Sequence, residues 1–175
     1  MNYIITCISH KRHENIESFF KIVGSKNVVF FVKDETDKKM YLQNGAKEVI
    51  VSGSLMKSRN ASLDYCFAQN KTCVQLSDDL EKIMVNDFTG KRTHDYVCVT
   101  DVLENILQHF NSCKYMFAGF PPTNNPFFAL KEIQLNKFIV GDFIIIKPNE
   151  LRFDENLRLK EDYDYTLQHI KNYKG

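Results

Sequence analysis

Two pairs of adjacent carboxylates carry the chemical potential of this sequence: Asp78-Asp79 in "QLSDDLEKI" and Glu161-Asp162 in "LKEDYDYTLQHI". The first pair follows the apolar run "TCVQL". Side-by-side negative charges repel, and a divalent cation relieves that cost. The plainer reading is a solvated turn, or an N-cap for a helix through "LEKIM". The second pair opens the last helical stretch, where the helix dipole favours acidic residues. A carboxylate held there in a partly enclosed site also suits a general base. A third group, Arg59-Asn60 in "KSRNASLDYC", includes one of only five arginines, and a guanidinium matches a diphosphate well.

The elements that must position these residues read as an α/β order. "NYIITCI" at 2–8 is a buried strand followed by a polar loop, "SHKRHE". "HENIESFFKIVG" has Ile16, Phe19, Phe20 and Val23 at helical spacing and stops at Gly24. "NVVFFVK" is a second strand, "ETDKKMYLQNG" a short helix and "KEVIVSG" a third strand. "SLMKSRNASLDYCFAQN" is a helix that leads into the fourth strand, "TCVQL". This alternation predicts an open, mostly parallel sheet with crossover helices, in which ligands bind beyond the carboxyl ends of the strands. Asp78-Asp79 sit at such an end. Further on, "EKIMVND" and "KYMFAGF" read as strands, "DYVCVTDVLENILQHFNS" as a helix and "PPTNNPFFALKE" as an irregular loop. "FIVGDFIIIK" is strongly β, and a C-terminal helix starts near Lys160.

Composition narrows the class. At 175 residues, 43% apolar and 26% charged, the chain suits one domain, residues 1–175, with a full core. No apolar run approaches the roughly 20 residues of a membrane span, and the N-terminus lacks a cleavage-site pattern, so a cytoplasmic protein is expected. The five cysteines are scattered without a CxxC pair, which argues for buried thiols rather than a zinc site. A net charge of +1 argues against broad electrostatic binding of nucleic acid.

Arg-Asn, a helix, an apolar strand and then Asp-Asp, as in "SRNASLDYCFAQNKTCVQLSDDL", resembles the nucleotide-sugar core of GT-A fold glycosyltransferases. The later "FDENLRLKEDYDYTLQHI" resembles their Glu-Asp segment, roughly 80 residues downstream. Within that fold, "GDFIIIK…LRFDENLRLKEDYDYTLQ" looks closest to the TET/JBP-associated glycosyltransferases of phages and large viruses, some of which are linked to sugar transfer onto hydroxymethylated pyrimidines in DNA. The resemblance implies a GT-A-like α/β fold, host cytoplasm as the location, a nucleotide-sugar donor (a UDP-sugar first) and Mn²⁺ or Mg²⁺. It implies Asp79 as principal metal ligand, with Asp78 assisting at the metal or ribose. Arg59 and Asn60 would orient the diphosphate. Thr6, Ser9, His10 and Arg12 would lie in or border the loop that receives the nucleotide, with Asp34 a further base or ribose contact. Asp162 or Glu161 would be the catalytic base, Asp162 favoured, with inversion the expected outcome.

Ser77 stands where this family often has a further aspartate, so a ribose contact could pass to the serine hydroxyl. His169 is the single downstream histidine available as an added metal ligand; otherwise water and diphosphate complete the site, or the chain is a truncated core. Phe120, Phe127 and Phe128 would form an acceptor platform, with core packing the plainer reading. Lys91, Arg92 and His94 would touch phosphates of a DNA acceptor, or form a solvated turn. The acceptor is modified DNA, a glycan or a protein. The rival readings are a nucleotidyltransferase, weakened by the absence of glycine in "TCISHKRHE", and a non-catalytic nucleotide-sugar-binding module. The oligomeric state is left open.

Overall fold

The computed structural model describes residues 2–85, 96–121 and 132–174. Six strands form the main sheet, in the order β3-β2-β1-β4-β8-β7. β1 (Tyr3–Ile8), β2 (Val29–Val32), β3 (Glu48–Val51) and β4 (Thr72–Ser77) are parallel. β8 (Phe143–Ile146) runs antiparallel to both β4 and β7 (Phe117–Gly119). A two-stranded ribbon pairs β5 (Ile83–Met84) with β6 (Tyr96–Val97).

The continuous apolar runs are explained by helices on both faces. Alternate side chains of β1, β2, β4 and β8 (Cys7, Phe30, Leu76 and Ile145 among them) point to one face. There they pack with α1 (Ile16–Val23), α4 (Val99–Ser112) and Tyr41 of α2 (Glu35–Gln43). On the other face, Cys73, Ile144 and Ile146 pack with α3 (Leu55–Phe67) and α5 (Glu161–Tyr173) through Leu63, Cys66 and Tyr165. Gly24 ends α1 as expected, at φ 76°, and a Cβ there would come within 2.7 Å of Cys98 Cβ at the start of α4. Cys7, Cys66 and Cys73 are buried free thiols, while Cys98 and Cys113 are half-buried.

Several expected boundaries shrink. The helix expected from Asp95 begins at Val99, where Asp101 accepts from the Cys98 N–H at 2.9 Å and completes a cap. Of "EKIMVND", residues 81–85 are described, and within them the strand is Ile83–Met84. "FIVGDFIIIK" keeps only Phe143–Ile146, because the backbone before it turns to meet Arg59 and α5.

The chain runs outward from β1 to β2 and β3, then returns to place β4 on the other side of β1. The loops leaving β1 and β4 therefore diverge in opposite directions. This topological switch point opens a crevice at the carboxyl ends, and Ile8 is level with Ser77 across it. Because β8 is reversed, its amino end, with Gly141 and Asp142, lies at the same edge.

Candidate functional site

A cleft of about 600 Å³ occupies the switch point, within the range of small-molecule sites. Its carboxylates are Asp78, Asp79, Asp142, Glu161 and Asp162, and its cations are Arg12, Lys33 and Arg59. Among the described residues acid thus exceeds base by two charges.

The loop after β1 is held by a relay of hydroxyls. Ser9 donates its one proton to Asp78 Oδ2 at 2.5 Å, so the Tyr41 hydroxyl donates to Ser9. Tyr41 in turn accepts the Arg12 N–H at 3.2 Å. Burial raises the Tyr41 pKa to about 12, which keeps the phenol protonated and able to donate. Asp78 also lies 3.4 Å from the His10 N–H. Burial raises its pKa, opposed by the Ser9 hydroxyl and then the Arg12 charge. Asp79 is different: its side chain is 59% exposed and its carboxylate meets the Arg12 guanidinium. Ser77 Oγ accepts the Asp79 N–H at 3.2 Å and so shapes the turn that presents that carboxylate. His10 Nδ1 lies 2.6 Å from the buried Asp37 carboxylate of α2, which fixes the imidazole at the cleft.

Arg59 is the hub of the opposite wall. It projects from α3, 7% exposed, and donates to Gln75 Oε1 at 2.6 Å. Its two terminal nitrogens lie 3.3 and 3.4 Å from the Gly141 carbonyl, and its Nε is 3.3 Å from Glu161 Oε1. A Cβ on Gly141 would fall 2.2 Å from Nη2, so this position must be glycine to admit the guanidinium. Burial lowers the Arg59 pKa, and the Glu161 and Asp162 charges oppose that shift. Asp162 opens α5 with one oxygen accepting from Gly141 N at 3.3 Å and the other from Tyr163 N at 2.8 Å. Asp142, which the sequence motifs did not single out, enters beside these acids. Its pKa is raised by burial and then by Asp79, while Arg59 opposes that rise and Asp162 adds to it.

The cleft therefore gathers Ser9, His10, Arg12, Arg59, Ser77, Asp78, Asp79, Glu161 and Asp162 of the expected residues. Others fall elsewhere. Thr6 is fully buried in β1, its hydroxyl directed at Val74 O. Asp34 caps α2 by accepting the Asp37 N–H at 3.0 Å, which lowers its pKa. Asn60 pairs its amide with the backbone of Phe153, at 2.8 and 2.9 Å, so it braces the segment before α5 instead of facing a diphosphate. Arg59 likewise holds protein groups. Phe120 packs on Phe143 at 4.2 Å between ring centroids, the plainer reading of the two. His169 is 1% exposed among Phe117, Tyr165 and Tyr173, away from the cleft, and cannot complete a metal site there. Phe127, Phe128, Lys91, Arg92 and His94 lie outside the described residues.

Among the described residues no group of three His, Cys, Asp or Glu side chains converges as a ready metal cage. No helix of the described residues is long and apolar enough to cross a membrane. No protein-family model matches the chain, and neither a curated protein nor a solved structure is detectably similar to it.

Proposed function

We propose that the chain is a divalent-ion-dependent glycosyltransferase that moves a sugar from a nucleotide sugar, a UDP-sugar first among candidates, to an acceptor hydroxyl. One observation carries this reading. A single cleft at the switch point joins an exposed carboxylate after β4 to a second, backbone-oriented carboxylate at the start of α5. The first suits a metal-diphosphate contact and the second suits proton abstraction.

The donor set fits Mg²⁺ or Mn²⁺, which need few protein oxygens when diphosphate and water supply the rest. Asp79 would hold the ion, and Asp78 would assist from its place against Ser9 and His10. When bound, such an ion offsets charge on the departing diphosphate. Arg12 and Lys33 line the same space and suit phosphate or ribose oxygens. Asp162 takes the acceptor hydroxyl proton, the freed oxygen attacks the anomeric carbon, and the nucleoside diphosphate leaves from the opposite face. Glu161 is committed to Arg59 and serves as a brace, so the two acids divide into one base and one support.

The test is incubation with Mn²⁺ and a panel of nucleotide sugars, read by nucleotide release and thermal stabilisation. UDP release with Mn²⁺-dependent stabilisation is expected. No response to any donor overturns the proposal, and pyrophosphate release from nucleoside triphosphates would favour a nucleotidyltransferase.

A further inference from the structure

Beside Asp162 the structure exposes an aromatic pair that the cleft chemistry has not used. The rings of Phe138 and Tyr163 lie 4.8 Å apart at an interplanar angle of 50°. Both are open to solvent, 54% and 39% exposed. Large exposed aromatics in contact mark a binding surface more often than an isolated surface ring does.

Three contacts fix the pair to the catalytic end of the cleft. Ile139 N donates to Thr166 Oγ1 at 3.2 Å, Gly141 N donates to Asp162 Oδ2 at 3.3 Å, and Thr166 Oγ1 donates to Asp162 O at 2.8 Å. Phe138 and Tyr163 adjoin these bonded residues in sequence, so the pair is tied to the carboxylate. Leu167, 52% exposed and one turn beyond Tyr163, extends the apolar surface along α5.

We propose that Phe138 and Tyr163 form the stacking platform for a neutral sugar ring of the acceptor, a deduction that rests on the glycosyltransferase reading of the cleft. A pyranose offers an apolar C–H face for the rings and an equatorial rim of hydroxyls for Asp162. A polyanion is disfavoured here, because among the described residues five carboxylates face three cations in the adjoining cleft. The favoured acceptor is therefore a glycan rather than DNA.

The test uses the full chain with maltose, cellobiose and lactose, observed by saturation-transfer NMR, against a hydroxymethylcytosine oligonucleotide. At least one disaccharide should bind. Phe138→Ala and Tyr163→Ala should weaken it about tenfold, while Tyr163→Phe retains it. Both residues are exposed, and unchanged thermal unfolding of the variants confirms the fold. In transfer assays the alanine variants should raise the acceptor KM. Failure of all three disaccharides to bind, binding insensitive to both alanine changes, or preferential binding of the oligonucleotide overturns the platform. Disaccharide binding lost in the alanine variants, with no nucleotide sugar recognised, upholds the platform and overturns the transferase.

Discussion

Replacing Arg59 by methionine keeps most of its length and removes its charge. The guanidinium donates to Gln75 at 2.6 Å, contacts the Gly141 carbonyl and faces Glu161 at 3.3 Å, with both ion-pair side chains under one-tenth exposed. The variant leaves Glu161 and Gln75 buried without their partner. Removing one member of a buried pair costs about 3–5 kcal/mol. For a chain of this size the melting temperature should fall on the order of 10 °C. Urea unfolding followed by far-UV circular dichroism measures the loss, provided the denaturant slope is unchanged. The double variant Arg59→Met/Glu161→Met replaces both charges with apolar groups, and it should be more stable than Arg59→Met alone. A single-variant loss below about 1 kcal/mol, or a double loss equal to the sum of the two singles, would refute the coupled pair.

Asp79→Asn should leave the unfolding free energy in urea within about 0.5 kcal/mol of the parent and abolish Mn²⁺-dependent stabilisation by UDP-sugars. Asp78→Ala should cost about 1–3 kcal/mol, because the Ser9 hydroxyl and His10 N–H lose their acceptor; equal stability of the two variants would contradict the division of labour. Asp162→Asn should reduce transfer about 10²–10⁴-fold and spare the donor thermal shift, and loss of donor binding would reassign the residue. Burial lowers the His169 pKa to about 4, below its usual 6.5, so the folded state takes up that proton later than the unfolded chain. Its contribution is intact above about pH 6.5 and is lost as pH falls toward 4, by up to about 3 kcal/mol. His169→Phe should remove that part of the acid sensitivity, measured as the difference in urea midpoint between pH 7 and 4.5.

The first half of the fold was legible because its signals are local. Apolar runs of strand length alternate with helical periods, and Gly24 stops α1 where a left-handed residue is needed. The acidic pairs were visible as residue types at a strand end and a helix start, and Arg59 as one of few arginines within the helix before β4. Their partners were not. Nothing in "FIVGDFIIIK" says that this strand runs backwards between β4 and β7, and only that reversal carries Gly141 and Asp142 into the cleft. Arg59 looked like a phosphate ligand because arginine usually serves outward-facing roles. Its burial follows from its place on α3 one turn before Ser62, with both residues meeting the buried Gln75. Asn60 and Asp34 read as ligand contacts for the same reason: a side-chain amide or carboxylate satisfies backbone as readily as substrate.

The reversed strand also sets the order in which the molecule can assemble. The pairings Tyr3 with Thr72 and Cys73 with Ile146 each close a loop of about 70 residues. Such closures are slow and carry an entropic cost before any contact rewards them. The four parallel strands end by Ser77, whereas Gly141 and Asp162 arrive only with the second closure. A chain arrested between the two would have one wall of the cleft and not the other. A ligand that touches both walls then binds only the finished fold, and it stabilises that fold in proportion to its own affinity and concentration.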